Sequence, residues 1–343
     1  MTAARFQTRP IGRTRVRTPV LGFGGGGIGN LYAAMSNAQA EATLRAALNG
    51  GLTYFDTAPH YGFGLSESRL GATLPASALV STKVGRRLEP MPDADPAGER
   101  HGFVAAAPFE PVFDYSHDGV MRAFEASLAR LGRDHVEILL AHDLGRVTHG
   151  AAHPDRMREF LEGGYKAMTR LRDSGAVGAI GLGVNEWQVC DEALDHSDFD
   201  VFLLAGRYTL LEQAPLDQFL PRCALREASI IVGGPFNSGV LVEGVGPGAH
   251  YNYGAAPVEV IDRVRRLEAI CAAHATPLAA AALQFPLAHT QVASVIPGLS
   301  TPAQVDQALT WMAHPIPDAL WNELRAGGLL HPDAPVPTRQ VAA

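Results

Sequence analysis

Four polar side chains stand at or just past the ends of apolar runs. They are Asp56 and Tyr61 in LTYFDTAPHYGFGLSE (residues 52–67), Lys83 in LVSTKVG and His142 in EILLAHD. A phenol has an ordinary pKa of about 10 and is a poor base near neutrality. A nearby ammonium favours the phenolate, and a hydrogen bond from an imidazole acts the same way. A carboxylate beside the lysine would keep it charged and in place. Together these types describe a phenol that exchanges a proton with a substrate hydroxyl or carbonyl. Singly, each has a plainer reading: Asp56 a turn residue, Lys83 solvated, His142 a structural histidine, Tyr61 a packing residue. The joint reading is preferred because three ionisable groups close three successive strand-like runs, with a tyrosine beside the first.

Such a group needs elements that bring it to one place. Short apolar, β-branched runs predict strands at about 19–24, 52–56, 78–83, 135–141, 177–183, 199–204, 229–232 and 292–296. Most are continuously apolar, as in strands buried on both faces. Helical patterns lie between them. NAQAEATLRAALNG places Ala40, Leu44, Ala47 and Leu48 on one face and stops at Gly50-Gly51. HDGVMRAFEASLARLG spaces Val120, Phe124, Leu128 and Leu131 likewise. Alternating strands and helices argue for parallel βα units. Eight units without a composition break favour a closed single-domain (β/α)₈ TIM barrel over an open sheet. Its strand ends share one rim, where such barrels keep their chemistry. The expected boundaries are 10–330 for the barrel and 331–343 for a C-terminal tail. Two long connections, 85–116 after the third strand and 233–257 after the seventh, read as lids. Their Phe103, Phe109, Phe113, Tyr115, Tyr251 and Tyr253 argue against disorder.

Composition narrows the classes. The 343 residues are 47% apolar and 18% charged, with a net charge of −7 and no run long enough to span a bilayer. Nucleic-acid binding usually needs a basic domain, so neither a nucleic acid nor a membrane is expected as partner. The basic N-terminal stretch lacks the apolar segment of a secretory signal. The cysteines, Cys190, Cys223 and Cys271, are odd in number and widely spaced, which argues against disulfides or zinc and fits a reducing cytoplasm. Asp143, His149, His153 and Asp155 fit no tight ligand spacing and read as a solvated loop, so no metal is expected. GFGGGGIGN is not the glycine fingerprint of a Rossmann unit. Gly24 and Gly25 are instead expected at the first strand end, where bare backbone can approach a ligand.

The strings FDTAPHYGFGLSE, VSTKVG, ILLAHD, GLGVN and IPGLSTPAQVDQAL occur in order and in the appropriate βα units. In these residues the chain, from about 10 to 330, resembles the aldo-keto reductase superfamily. LAGRYTLLEQ and GGPFNSGVL…YNYG are similar to one branch, the aldose and pyridoxal dehydrogenases. The resemblance implies Tyr61 as proton donor or acceptor, with Asp56, Lys83 and His142 completing a tetrad. It implies a nicotinamide cofactor lying across the rim, with Asn185 at the carboxamide; the plainer reading of Asn185 is a helix N-cap. The implied cofactor contacts are Gly24, Gly25, Asp56, Asn185, Tyr208, Gly234, Pro235, Phe236, Ser238, Gly239, Ile296, Pro297, Gly298, Gln304 and Gln307.

The departures from the family pattern matter. Val184 replaces a common serine before the asparagine, and Ala205 replaces a glutamine at the sixth strand end. The aromatic that stacks on the nicotinamide falls near Gly233 and Gly234, leaving Phe236, Tyr208 or Arg207 to substitute. Members using NADP place a lysine and an arginine where Gly298 and Gln304 stand. Without them a 2′-phosphate loses charge-assisted bonds, so NAD is expected, with NADP the alternative if Arg325 or Arg339 reaches the site. The expected reaction is NAD-dependent oxidation of an aldose of the L-fucose or D-threo type, at C1 of its cyclic hemiacetal, to the lactone. Alternatives are oxidation of pyridoxal to 4-pyridoxolactone, and NADPH-dependent aldehyde or ketone reduction. Other classes are a Schiff-base aldolase using Lys83 and a nicotinamide-binding regulatory subunit. Either a monomer or a homodimer is consistent with the sequence.

Overall fold

A computed structural model describes residues 6–246, 250–252 and 254–338. Tyr253, Arg339 and the end of the 331–343 tail lie outside the described residues. Eight parallel strands form one sheet: β1 (Phe23–Gly24), β2 (Tyr54–Asp56), β3 (Leu79–Val84), β4 (Val136–His142), β5 (Val177–Val184), β6 (Val201–Ala205), β7 (Ser229–Gly233) and β8 (Val292–Ile296). They neighbour one another in chain order. Parallel bridges Leu21–Val295 and Gly24–Gly298 join the first strand region to the last, giving a (β/α)₈ barrel.

Strand parity decides which side chains reach the interior. Ile11, Tyr54, Ile138, Leu140, Ala179, Val201, Leu203, Ile231, Ala293 and Ile296 form one buried cluster inside the ring. A larger cluster lies between the strands and the helices. An antiparallel pair, Thr8–Pro10 with Arg17–Pro19, precedes β1 and leads into buried Ile11. Asp56 shares parity with Tyr54, Lys83 with Ser81, and His142 with Ile138 and Leu140. All three therefore project from the inner face, one step beyond the packed layer.

The helices form by ordinary local rules. α1 (Asn37–Asn49) starts in a capping box between Ser36 and Gln39 and buries Ala40, Leu44 and Ala47. α2 (Leu65–Thr73) follows β2. α3 (His117–Leu131) is capped by Ser116 and buries Val120, Phe124 and Leu131. Buried Glu67 of α2 accepts from Thr82 of β3 at 2.6 Å and pairs with Arg130 of α3 at 2.6 Å, fixing the elements around Lys83.

The connection after β3 is more regular than a loop reading implies. Arg86–Pro90 pairs antiparallel with Phe109–Phe113, and Glu99–Arg100 with Phe103–Val104. A bridge from Leu31 to Phe103 ties this ribbon to the segment after β1. Phe103 is buried with Phe63 and Ala106, with Tyr61 packed against them, so the connection is folded down at the site. The connection after β7 holds a short helix, Val240–Glu243, and a small pair, His250–Tyr251 with Gly254–Ala255.

Candidate active site

Lys83 crosses the barrel mouth almost completely buried. Its Nζ donates to Asp56 Oδ2 at 2.8 Å, to the Thr57 carbonyl at 2.8 Å and to the Tyr61 hydroxyl at 3.3 Å. The other Asp56 oxygen accepts from Ser81 at 2.7 Å, and Tyr54 meets Ser81 at 2.9 Å. Gly183 makes room for this lysine: a Cβ there would lie 3.1 Å from Lys83 Cε. Tyr61 is placed by a tight turn in which Gly62, Phe63 and Gly64 all have positive φ. His142 stands edge-on to Tyr61, ring centroids 6.0 Å apart. The four residues named from the sequence thus meet on one rim.

One electrostatic expectation is corrected. Burial, reinforced by Asp56 and Asp143, holds the Tyr61 phenol well above its usual pKa, with Arg86 pulling the other way. Lys83 does not convert it to phenolate, because the charge of Lys83 is spent on Asp56 at 2.8 Å. The phenol therefore rests protonated. Burial, with Arg86, Lys83 and His60 adding repulsion, holds His142 well below its usual pKa. His60 is lowered to about 2, mainly by burial and then by Arg86. Both imidazoles are neutral near pH 7.

Beside Tyr61 opens a cleft of about 410 Å³. Of the cofactor contacts named from the sequence, Gly24, Gly25, Asp56, Asn185, Gly234, Phe236, Ser238, Gly239, Ile296, Gly298, Gln304 and Gln307 line it. Tyr208, Pro235 and Pro297 do not. Tyr208 is fully buried against Phe285 and His289. The Pro297 carbonyl accepts from Gly24 N–H at 2.9 Å inside the barrel seam. Among Phe236, Tyr208 and Arg207, only Phe236 faces the cleft, edge-on to Trp311 at 5.7 Å. Arg207 instead donates to the Asn185 carbonyl and to Asn252. The following helix, Gln188–Ala193, has Trp187 at its N-cap position, and Asn185 Nδ2 donates to Asp143 Oδ1 at 3.1 Å.

These residues fit a nicotinamide dinucleotide. Bare glycine backbone borders the cleft, and the Asn185 amide and Tyr61 both line it. A Cβ at Gly25 would meet the Asp56 carbonyl at 2.5 Å, so close strand packing holds that wall bare. A Cβ at Gly298 would find nothing within 4 Å and would project into open space.

The solvated-loop reading of Asp143, His149, His153 and Asp155 is also corrected. Asp143 is buried and ion-paired with Arg86, His153 is fully buried against Glu192, and His149 contacts Tyr115. Only Asp155 is plainly exposed. Among the described residues no group of His, Cys, Asp and Glu is arranged to hold a metal ion, and no single helix is long and apolar enough to cross a membrane. The sequence reading missed Arg86, Asp143 and Glu243, which lie at or line the site.

A partly buried tyrosine, its hydroxyl 3.3 Å from a buried lysine amine, thus stands beside a glycine-lined cleft at the barrel rim. The aldo/keto reductase family model matches residues 20–327, and the chain belongs to that family. Its members use nicotinamide cofactors. The chain is 42% identical over 337 residues to a pyridoxal 4-dehydrogenase of Microbacterium luteolum, covering 94% of this chain and 98% of that one. It is 39% identical over 319 residues to a D-threo-aldose 1-dehydrogenase of a Pseudomonas species, covering 91% and 94%. In fold it is similar to an aldo-keto reductase of Bacillus halodurans in its holo form, with a TM-score of 0.74 at 24% identity over 98% of this chain and all of that one.

Proposed function

We propose that this aldo-keto reductase oxidises a cyclic hemiacetal to a lactone with NAD. The substrate is an aldose of the L-fucose or D-threo type at C1. The observation that carries the reading is the Lys83 amine, 2.8 Å from Asp56 and 3.3 Å from the Tyr61 hydroxyl, beside a glycine-walled cleft. When bound, the nicotinamide supplies a hydride acceptor. Tyr61 relays the anomeric hydroxyl proton as general base in oxidation and as general acid in the reverse direction. As C1 loses hydride and the hydroxyl loses its proton, the C1–O bond becomes a carbonyl and balance is kept. Neutral His142 orients the oxygen by hydrogen bonding. Asn185 presents its amide to the carboxamide, and the ribbon carrying Phe103 excludes water.

NAD is favoured over NADP by charge. Among the described residues no lysine or arginine lines the cleft, whereas Glu243 does. Among the described lining residues a 2′-phosphate would find no cation, and Glu243 would oppose it. Residues 10–330 form the catalytic barrel in this reading, with 331–343 as a tail. The buried free thiols Cys190, Cys223 and Cys271 suit a reducing cytoplasm. The pyridoxal alternative rests on the 42% identity to a pyridoxal 4-dehydrogenase and involves the same hemiacetal chemistry.

The test is NAD reduction with L-fucose, D-arabinose, L-galactose and pyridoxal, for wild type and Tyr61→Phe. The substitution should abolish turnover while NAD still binds. Retained turnover would refute the role of Tyr61, and activity only with NADPH and simple carbonyls would replace the reaction.

A further inference from the structure

A second buried ion pair sits beside the first. Arg86 follows β3 by two residues, and Asp143 directly follows His142. Their side chains are 13% and 8% exposed and in direct contact. Asp143 is used on every side. One oxygen accepts from Asn185 Nδ2 at 3.1 Å, and the other lies 3.4 Å from His142 Nε2 and takes the Arg86 guanidinium. Arg86 is itself held, with its guanidinium 4.5 Å from the Phe113 ring and Nη1 within 3.4 Å of both His60 nitrogens. The Asp143 backbone has φ of +50° and donates to the Gly183 carbonyl at 3.0 Å. A non-glycine residue held there is sparsely populated and persists where the surroundings over-determine it. Burying such a pair is costly and adds little net stability.

We propose that Asp143 is a positioning residue: one carboxylate, ion-paired with Arg86, fixes both the Asn185 amide and the His142 imidazole. It thereby sets the nicotinamide-side group and the proton-side group relative to each other. This rests on the proposed roles of Asn185 and His142. It explains why the acid is inside the barrel mouth instead of in solvent.

The test compares Asp143→Asn with Asp143→Ala. Asparagine tolerates positive φ and its amide oxygen can still accept from Asn185, but it cannot balance Arg86. Alanine removes both functions. The readouts are NADH Kd by nicotinamide fluorescence, kcat on the best hemiacetal substrate and thermal stability. Asp143→Ala should weaken NADH binding about tenfold or more and lower kcat about 100-fold, the scale of misplaced reacting groups. Asp143→Asn should bind NADH within about threefold of wild type while kcat falls about tenfold or more. Because Asp143 acts through Asn185, adding Asn185→Ala to Asp143→Ala should weaken NADH binding no further. Additive effects on Kd would overturn the proposal. So would an Asp143→Ala protein with NADH Kd within twofold of wild type, or variants that lose only thermal stability. The NADH arm needs no substrate: if wild type binds NADH but oxidises none of the four compounds, the proposed reaction fails while this test still reads.

Discussion

The cofactor preference can be tested by restoring one charge. A Cβ at Gly298 meets nothing within 4 Å, and its φ is not in the left-handed region, so Gly298→Lys should fold without displacement. The position is exposed at the mouth of the cleft, next to the first turn of the helix Pro302–Ala313. A hydrogen bond to a charged group contributes about 1.5–3 kcal/mol, and exposure argues for the lower end. About 1.5 kcal/mol is roughly a tenfold gain in kcat/KM for NADP, with NAD little changed. Gln304→Arg is the less clean partner, because the Gln304 side chain accepts from Ser300 N–H at 2.7 Å and its loss loosens that turn. The assay is the ratio of kcat/KM for NADP to that for NAD, with one hemiacetal substrate, at low and high salt. The ratio should rise about tenfold at low salt and shrink as salt screens the exposed contact. A ratio that stays within twofold would refute this placement of the 2′-phosphate, and a wild-type enzyme already preferring NADP tenfold would refute the charge argument itself.

Other expected outcomes concern the first ion pair and the phenol. Asp56→Asn leaves Lys83 buried without its partner and should cost about 3–5 kcal/mol in urea unfolding, much of it recovered when Lys83→Met is added; a loss below about 1 kcal/mol would contradict the burial argument. Gly183→Ala puts a methyl 3.1 Å from Lys83 Cε and should lower kcat about 10-fold or more with NADH binding retained; an unchanged kcat would show that the lysine has room to move. The Tyr61 pKa is raised, so the native state keeps a proton that unfolded tyrosines release above pH of about 10, and stability should fall as pH climbs past that value. Phenolate absorbance of wild type minus Tyr61→Phe checks this directly, and ionisation of Tyr61 below pH of about 10 would contradict the raised value.

The barrel and the four rim residues were legible because both obey strand rules. Apolar runs set the strands, and a polar residue closing each run must emerge at the rim. Asp143 was not legible for the same reason: next to His142 it looks like the start of a solvated turn, and Arg86 lies 57 positions away in sequence. Only the adjacency of the β3, β4 and β5 ends joins Arg86, Asp143 and Asn185. A useful signal was an acid immediately after a strand-ending histidine, paired with an arginine three residues after a lysine at a strand end. The 85–116 ribbon was hidden by Pro90 and Pro111, which interrupt strand patterns but are tolerated in a two-stranded edge ribbon. Tyr208 was misplaced because position along a strand end cannot tell a ring facing the cleft from one packed behind it.

The charges around Tyr61 bear on the direction of the chemistry. A lysine alone would make the phenol acidic, but this lysine is neutralised by a carboxylate 2.8 Å away, and the arginine by another. The two pairs present little net charge, so burial dominates and the resting phenol holds its proton. That state is ready to donate to a carbonyl. Oxidation requires the proton to be given up first, which calls for added positive charge in the cleft. An oxidised nicotinamide brings such a charge and the reduced form does not. With nearly balanced charge in the protein wall, the charge of a bound nicotinamide would be what shifts proton affinity at Tyr61.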